Sequence, residues 1–405
     1  MLKIALFTDT YVPQINGVVA YVQDAIGELS KNHEVVLFAP GTGPLKLERV
    51  SEKFSIYWIP STPFPIYEGY RISSLNYKRI SDLLRKEKPD VVHAHAPVIL
   101  GLQGMVSARR KKIPVVVTHH THFPEYMPHL FSGRLLGFVN RISAYTVKKM
   151  IKHAYKMADV VIAPTEELAR ELRSYGIGNV VHLHNGIDFS KFECTPKCEL
   201  EFRKKYGVPK TSTILYLGRV SIEKKLEVLL EAYRSIEREG RLLLIVGGGP
   251  SLAQMKKRAA ALGIKQIIFT GFVDRGHLGA AYLCGDVFAS PSDTETFGLT
   301  FVEAMHQGIP AIGVSRLGAK EVIADGETGI LVGPGNAREL AAALDRLLSN
   351  DKLRQSMGQK ARARAEEFSI EDNIEKTLKI YRKLVTAAAG AGRQRGGGAR
   401  PSKPG

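Results

Sequence analysis

Two glutamates eight residues apart, Glu295 and Glu303, bracket the segment Thr-Phe-Gly-Leu-Thr within the run Asp286–Ser315. Glu295 falls in a loop and Glu303 near the start of a predicted helix. Gly298 between them lets the backbone come close to a ligand. The free N–H groups of the helix N-terminus, around Gly298 to Thr300, point at an anion. One carboxylate can then grip hydroxyls ahead of the anion and the other hydroxyls behind it. A sugar–diphosphate–nucleoside has that order of groups. The plain alternative is a surface glutamate followed by a first-turn glutamate that suits the helix dipole.

Two further groups of side chains could do chemistry. Arg219 and Lys224 lie five residues apart across a predicted strand-to-helix loop. There Arg offers a planar fork and Lys a point charge to a diphosphate. His119, His120 and His122 follow the predicted strand Ile113 to Thr118. An imidazole there can share a hydrogen bond with an acceptor hydroxyl and exchange protons near neutrality. His93 and His95 are weaker candidates on an earlier strand.

These residues must be positioned by alternating strands and helices. Val287–Ala289, a helix from Thr300 to Gln307, and a strand from Pro310 make one such unit, closed by Gly308 and Pro310. Lys3–Phe7, Glu34–Ala39, Ser55–Ile59, Asp90–His95, Thr213–Leu217 and Leu242–Val246 read as further strands. Alternation of this kind predicts doubly wound parallel sheets, with ligands beyond the strand C-termini. Asn16 and Gly17 sit in the first strand-to-helix loop, which does not fit G-x-G-x-x-G. Gly247–Gly249 make a tight turn, and Gly248 permits close approach to a nucleoside or phosphate.

The chain has 405 residues, with 44% hydrophobic and 24% charged, which suits two ordinary globular domains. No apolar run reaches the ~18–20 residues of a spanning helix. The N-terminus is not read as a signal peptide. The three cysteines are expected as free thiols in a reducing cytosol, without a metal site. Net charge is +17, and removing Arg393, Arg395, Arg400 and Lys403 of the tail still leaves +13. Anionic membranes, nucleic acid or a phosphorylated donor are the partners such a balance suits. No recognisable nucleic-acid-binding motif is present, so a nucleic-acid partner is not expected. Between Tyr126 and Ala158 no acidic residue occurs, whereas Arg134, Arg141, Lys148, Lys149, Lys152 and Lys156 do. With the apolar residues among them, they suit a basic amphipathic surface on an anionic membrane. A solvated helix with its apolar side in the core fits the same pattern.

The run ETFGLTFVE resembles the E-x7-E motif of the retaining glycosyltransferases of family 4, which have the GT-B fold. The resemblance covers roughly residues 1–385. It implies two Rossmann-like domains facing a central cleft. Residues 1–186 would bind the acceptor, completed by a C-terminal helix over 370–386. Residues 187–369 would bind the nucleotide-sugar, and 390–405 would be a disordered tail. Gly218-Arg219 and Lys224 match the family's G-R-x4-K-G, with Lys225 in place of the last glycine.

On this resemblance Arg219 and Lys224 stabilise the leaving diphosphate, Glu295 holds the donor sugar and Glu303 the ribose. Gly17, Gly248, Phe272, Val273, Phe297, Gly298, Leu299 and Thr300 border the donor. Asn16, His120 and His122 face the acceptor, with His120-Thr121 matching a family H-T pattern. Asp293-Thr294-Glu295 looks like a D-x-D metal motif, but its two-sheet setting is wrong for one. No metal and no cofactor is expected. FTDTYVPQINGV and HTHFPEYMP are similar to members acting on diacylglycerol or related lipids. The expected activity is metal-independent, retaining hexosyl transfer from a UDP- or GDP-sugar to a glycerolipid hydroxyl. The expected place is the cytoplasmic face of the cell membrane. A soluble sugar or polysaccharide acceptor, and a nucleotide-sugar epimerase of the same fold, are the alternatives.

Overall fold

Long apolar runs dictate the centre of the molecule. Ile4, Ala5, Leu6 and Phe7 are consecutive and all buried. A strand without polar alternation must be covered on both faces, which a parallel sheet between helices provides. The computed structural model describes residues 1–64, 71–120, 146, 148–236 and 240–396.

The first sheet holds β1 (Lys3–Thr8), β2 (Glu34–Gly41), β3 (Lys46–Arg49), β4 (Phe54–Pro63), β5 (Arg71–Ser73), β6 (Val91–His95), β7 (Val115–Thr118), β8 (Val160–Ala163) and β9 (Val180–His182). Their order is β3-β4-β2-β1-β6-β7-β8-β9, with β5 beside β4. All pairs are parallel except the edge strands β3 and β5 on β4. The sequence predicts neither edge strand. Lys46–Arg49 is mostly exposed and carries no apolar rhythm; its pairing is fixed instead by Trp58, whose indole donates to Glu48 at 2.9 Å.

The second sheet holds β10 (Ser212–Leu217), β11 (Arg241–Val246), β12 (Ile267–Gly271), β13 (Val287–Ala289), β14 (Ala311–Val314) and β15 (Gly329–Val332). Its order is β12-β11-β10-β13-β14-β15, parallel throughout. Taken in chain order this is the 3-2-1-4-5-6 winding of a Rossmann sheet. Strand order reverses between β1 and β6 in the first sheet and between β10 and β13 in the second. A crevice opens at each reversal, beyond the strand C-termini.

Packing at these centres is close. The Phe7 ring stacks on Phe38 at 4.3 Å. A Cβ at Gly104 would come within 2.7 Å of Phe7, so only glycine lets helix Leu100–Arg110 lie this near β1. Burying one such aromatic stabilises the sheet by about 2–3 kcal/mol.

The chain crosses between the sheets twice, and the crossings are bonded to each other. Ile187 N donates to Phe368 O, and Ile370 N donates to Ile187 O, both at 2.9 Å. The helix Ile370–Gly396 then returns to the first sheet, where Ile370, Ile374 and Tyr381 join its core. Tyr21 donates to Asn373 at 2.9 Å across this contact. This helix continues through Gly396, past residue 390, where the sequence reading ends order; 397–405 lie outside the described residues.

The cysteines differ from expectation. Cys194 and Cys198 are joined as a disulfide, and Cys284 is free and buried. Four residues apart around the start of helix Pro196–Tyr206, their Cα atoms lie 6.0 Å from each other, within bridging range.

Candidate active site

The four loops at the two strand-order reversals carry most of the residues singled out above. After β10 the chain passes Gly218-Arg219, makes a short 3-10 turn at Ile222–Lys224, and starts helix Leu226–Ser235. Lys225 joins the two with φ 50°, a left-handed conformation that costs a non-glycine residue roughly 1 kcal/mol. Lysine thus takes a left-handed conformation here at the position where the resembled motif has glycine. The Lys225 ammonium is held on Asp293 at 2.5 Å.

Lys224 Nζ lies 2.6 Å from Oε1 of Glu295, with both side chains more than four-fifths buried. A cation aimed from the β10 loop thus meets a carboxylate from the β13 loop at the reversal point. Glycines keep the β10 loop in place from the other side. A Cβ at Gly247 would fall 1.9 Å from Gly218 O, and one at Gly249 2.3 Å from Val220 O. Gly247 and Gly249 also have left-handed φ values of 133° and 152°. The turn is thus seated on the backbone that presents Arg219. Gly248 lies under the ring of Phe272, which is 63% exposed at the crevice mouth. Val273 next to it packs on the core.

Gly298 begins helix Leu299–His306 with φ 81°, and a Cβ there would strike the Phe301 ring at 2.6 Å. Leu299 and Thr300, in the first turn, are half-buried. Phe297 turns the other way. Its side chain is buried against Phe368 and His184, so only its backbone can face a donor. Glu303 is 9% exposed, and Tyr282 donates its hydroxyl to Oε2 at 2.6 Å. Burial pushes the Glu303 carboxyl up to about 7, against the Tyr282 hydrogen bond and the Arg275 charge, which favour ionisation.

The first domain meets this surface directly. A Cβ on Gly17 would lie 3.5 Å from Leu299 Cδ1, which places the first loop against the helix start across the cleft. Asn16 caps helix Gly17–Leu29 by accepting from Val19 N at 3.0 Å and donates to Thr10 at 2.9 Å. Arg275 reaches over from the second domain to Gln23 at 2.5 Å. Asp9 accepts four backbone N–H groups, from Val98, Ile99, Leu100 and Gly101, at 2.7–3.0 Å, and so fixes the β6 loop.

The histidines form a buried stack. His120 is 7% exposed, and its Nε2 shares a hydrogen bond with His95 Nδ1 at 3.0 Å. Tyr21 packs on both rings. His93 bridges Tyr381 and Thr118 at 2.5 and 2.7 Å. His119 is bonded to Tyr155 at 2.8 Å. Burial holds His93, His95 and His120 neutral, with His95 lowered to about 3. His122, Arg134 and Arg141 lie outside the described residues.

Tyr282, Arg275 and Asp9 are site residues that the sequence reading passes over. Tyr282 lies inside an ordinary apolar helix, and Arg275 in a polar turn. Only Asp9, polar directly after a buried strand, carries a local signal.

Residues 15–191 match the family model "Glycosyltransferase Family 4", and residues 199–364 match "Glycosyl transferases group 1". The alpha-monoglucosyldiacylglycerol synthase of Streptococcus pneumoniae is 31% identical over 340 residues, covering 82% of this chain and 75% of that protein. The enzyme of the same name from Acholeplasma laidlawii is 27% identical over 395 residues, covering 95% and 98%. Among solved structures, Anabaena HepE in complex with UDP and glucose superposes with a TM-score of 0.73 at 18% identity, over 94% of this chain and all of that one. The two facing Rossmann sheets, the paired loops at their reversals and this similarity over most of the chain make the protein a GT-B glycosyltransferase of family 4.

Proposed function

We propose that the enzyme transfers a hexose from a UDP- or GDP-sugar to the hydroxyl of a membrane glycerolipid, with retention and without a catalytic metal. The observation that carries the donor side is the Lys224–Glu295 contact at the β10–β13 reversal. As the glycosidic C–O bond breaks, positive charge grows on the sugar ring and negative charge on the departing diphosphate. Arg219, Lys224 and the helix start at Gly298 supply positive potential to that diphosphate, the place of a divalent ion in other designs. Glu295, beside Lys224, holds sugar hydroxyls. Glu303 holds the ribose through the carboxylate that Tyr282 orients. Retention follows from attack on the face that the diphosphate leaves, with a diphosphate oxygen taking the acceptor proton. His120 and Asn16 line the acceptor side, with His120 placed by His95 and Tyr21.

The lipid acceptor rests on two supports. The relatives described above are named for a diacylglycerol glycolipid. The helix over 148–155 exposes Lys148, Lys149 and Met150 together, with Lys156 exposed just beyond it and Lys152 half-buried. Ile151 and Tyr155 anchor the opposite side in the core. Each such lysine contributes about 1 kcal/mol on an anionic surface. Among the described residues no helix is long and apolar enough to cross a membrane, so binding would be peripheral.

The test incubates the purified protein with a panel of nucleotide-sugars in EDTA, with anionic liposomes containing diacylglycerol or with soluble sugars. Released nucleoside diphosphate and glycosylated lipid are both followed. Lipid product in EDTA that disappears in Glu295→Ala supports the proposal. Turnover only with soluble acceptors refutes the lipid assignment, and turnover that requires added magnesium or manganese refutes metal independence.

A further inference from the structure

The last strand of the first domain ends at His182, and Leu183 and His184 follow it directly before the crossing at Asn185-Gly186. Residues two apart on an extended backbone point to the same side. Both imidazoles converge on Glu321, which belongs to the second domain, on helix Leu317–Val322. His182 Nε2 lies 3.1 Å from Glu321 Oε1, and His184 Nε2 lies 3.0 Å from the same oxygen. All three atoms fall within 4.8 Å of one another. Atoms bound to one tetrahedral ion at 2.0–2.1 Å stand about 3.3 Å apart, so this is close to the spacing of co-ligands.

The outer contacts are also those of a ligand set. The second oxygen of Glu321 accepts from Glu166 N at 3.2 Å, which turns Oε1 toward the imidazoles. The Glu166 carboxylate lies 3.7 Å from His182 Nδ1, on the side of the ring away from the cluster. A carboxylate behind a ligating imidazole is the usual arrangement around zinc. Phe368 packs edge-on against His184 at 5.1 Å and fixes its ring plane. His182 Nε2 is buried and has no hydrogen-bond partner of good geometry, although it lies 3.1 Å from Glu321 Oε1.

The geometry points to a divalent transition-metal site formed by His182, His184 and Glu321 and shared between the two domains. Two imidazoles and one carboxylate suit zinc, or cobalt as its spectroscopic substitute, better than magnesium or calcium. The half-buried side chains leave water access to a fourth position. An ion here would pin helix Leu317–Val322 to the end of the first domain, next to the crossing. It would also hold the donor loop, since Gly318 N donates to Glu295 O at 2.8 Å and His184 packs on Phe297. This role is structural, separate from bond breaking, and needs no metal at the diphosphate.

Equilibrium dialysis of the chelator-stripped full chain against zinc, with elemental analysis, tests the site directly. We expect one equivalent of zinc, a visible cobalt absorption band displaced by zinc, and a zinc-dependent rise in unfolding temperature. Glu321→Gln, which keeps size and hydrogen bonding, and His182→Ala should each weaken binding at least about ten-fold and abolish the rise in unfolding temperature. Absence of stoichiometric binding in the wild type would overturn the proposal. So would zinc that binds equally well to both variants, since it would then sit elsewhere.

Discussion

The ammonium of Lys224 rests on the carboxylate of Glu295 at 2.6 Å, although the two side chains arrive from loops 71 residues apart in sequence. With both largely buried, each neutralises the other until a donor enters. On the proposed donor binding, the diphosphate would replace Glu295 as the partner of Lys224, and sugar hydroxyls would replace Lys224 as the partner of Glu295.

Removing one partner therefore does more than delete a contact. Lys224→Ala and Glu295→Ala should each lower kcat/KM for the donor by roughly 10²–10³. The double variant should be less impaired than the product of the two, with a coupling of about 1–3 kcal/mol. Nucleoside diphosphate release by the four proteins measures this; strictly multiplicative losses would show that the pair acts as two independent groups.

Glu303 titrates where few carboxylates do. Its folded value of about 7 is raised above the ordinary 4.5, so the folded state binds the extra proton between those values. Stability from this group is thus present at low pH and is lost as pH rises from about 4.5 to 7, by at most ~3 kcal/mol. Glu303→Gln should flatten that stretch of the urea-midpoint curve. Nucleotide binding, if it uses the carboxylate, should tighten as pH passes 7. Tyr282→Phe should move that midpoint upward, because the Tyr282 hydrogen bond favours the ionised form. Calorimetric titration between pH 6 and 8 reads the shift.

The histidine stack gives the opposite sign. His93, His95 and His120 are held below the ordinary 6.5 by burial, His95 at about 3. Their contribution is full above 6.5 and is lost as pH falls toward 3, since unfolding lets each ring take a proton. The urea midpoint should fall in that window, and His95→Phe should reduce the slope. A slope unchanged by that substitution would place the proton uptake elsewhere.

Gly249→Ala puts a methyl group 2.3 Å from the carbonyl of Val220 and forces a left-handed alanine. The backbone between Gly218 and Lys224 must yield. We expect donor affinity to fall by at least about ten-fold while the far-UV spectrum is kept, because the strain lies at a loop and not in the sheet core. Binding of UDP or GDP by fluorescence checks this.

Lys225→Gly separates two effects at one position. It should relieve about 1 kcal/mol of left-handed strain while losing the Asp293 contact. Thermal unfolding of Lys225→Gly against Lys225→Ala distinguishes backbone relief from charge loss. Glycine should be the more stable of the two.

The sequence made the sheets legible because their strands are unbroken apolar runs between glycine and proline stops. The donor loops were legible for a related reason. Glu295, Gly298 and Glu303 sit at fixed offsets along one loop-to-helix joint, where backbone geometry turns spacing into position. What joins distant segments was not visible. Tyr282 meets Glu303, Asp9 meets the β6 loop, and Lys224 meets Glu295 only after two strands become neighbours. The direction of the Phe297 ring was not visible either, because a loop position does not reveal which way a ring turns. Lys225 shows that a lysine can occupy a left-handed position where the resembled motif has glycine.

The returning helix has a consequence for how the molecule is made. Tyr381 fills the first domain's core against His93, yet it is synthesised nearly three hundred residues after that strand. On the ribosome the N-terminal domain therefore waits, with the groove under Tyr21 and His93 open, until the second domain has emerged behind it. The domain begun first is the one finished last, and a chaperone bound to the nascent chain would find its exposed apolar surface there.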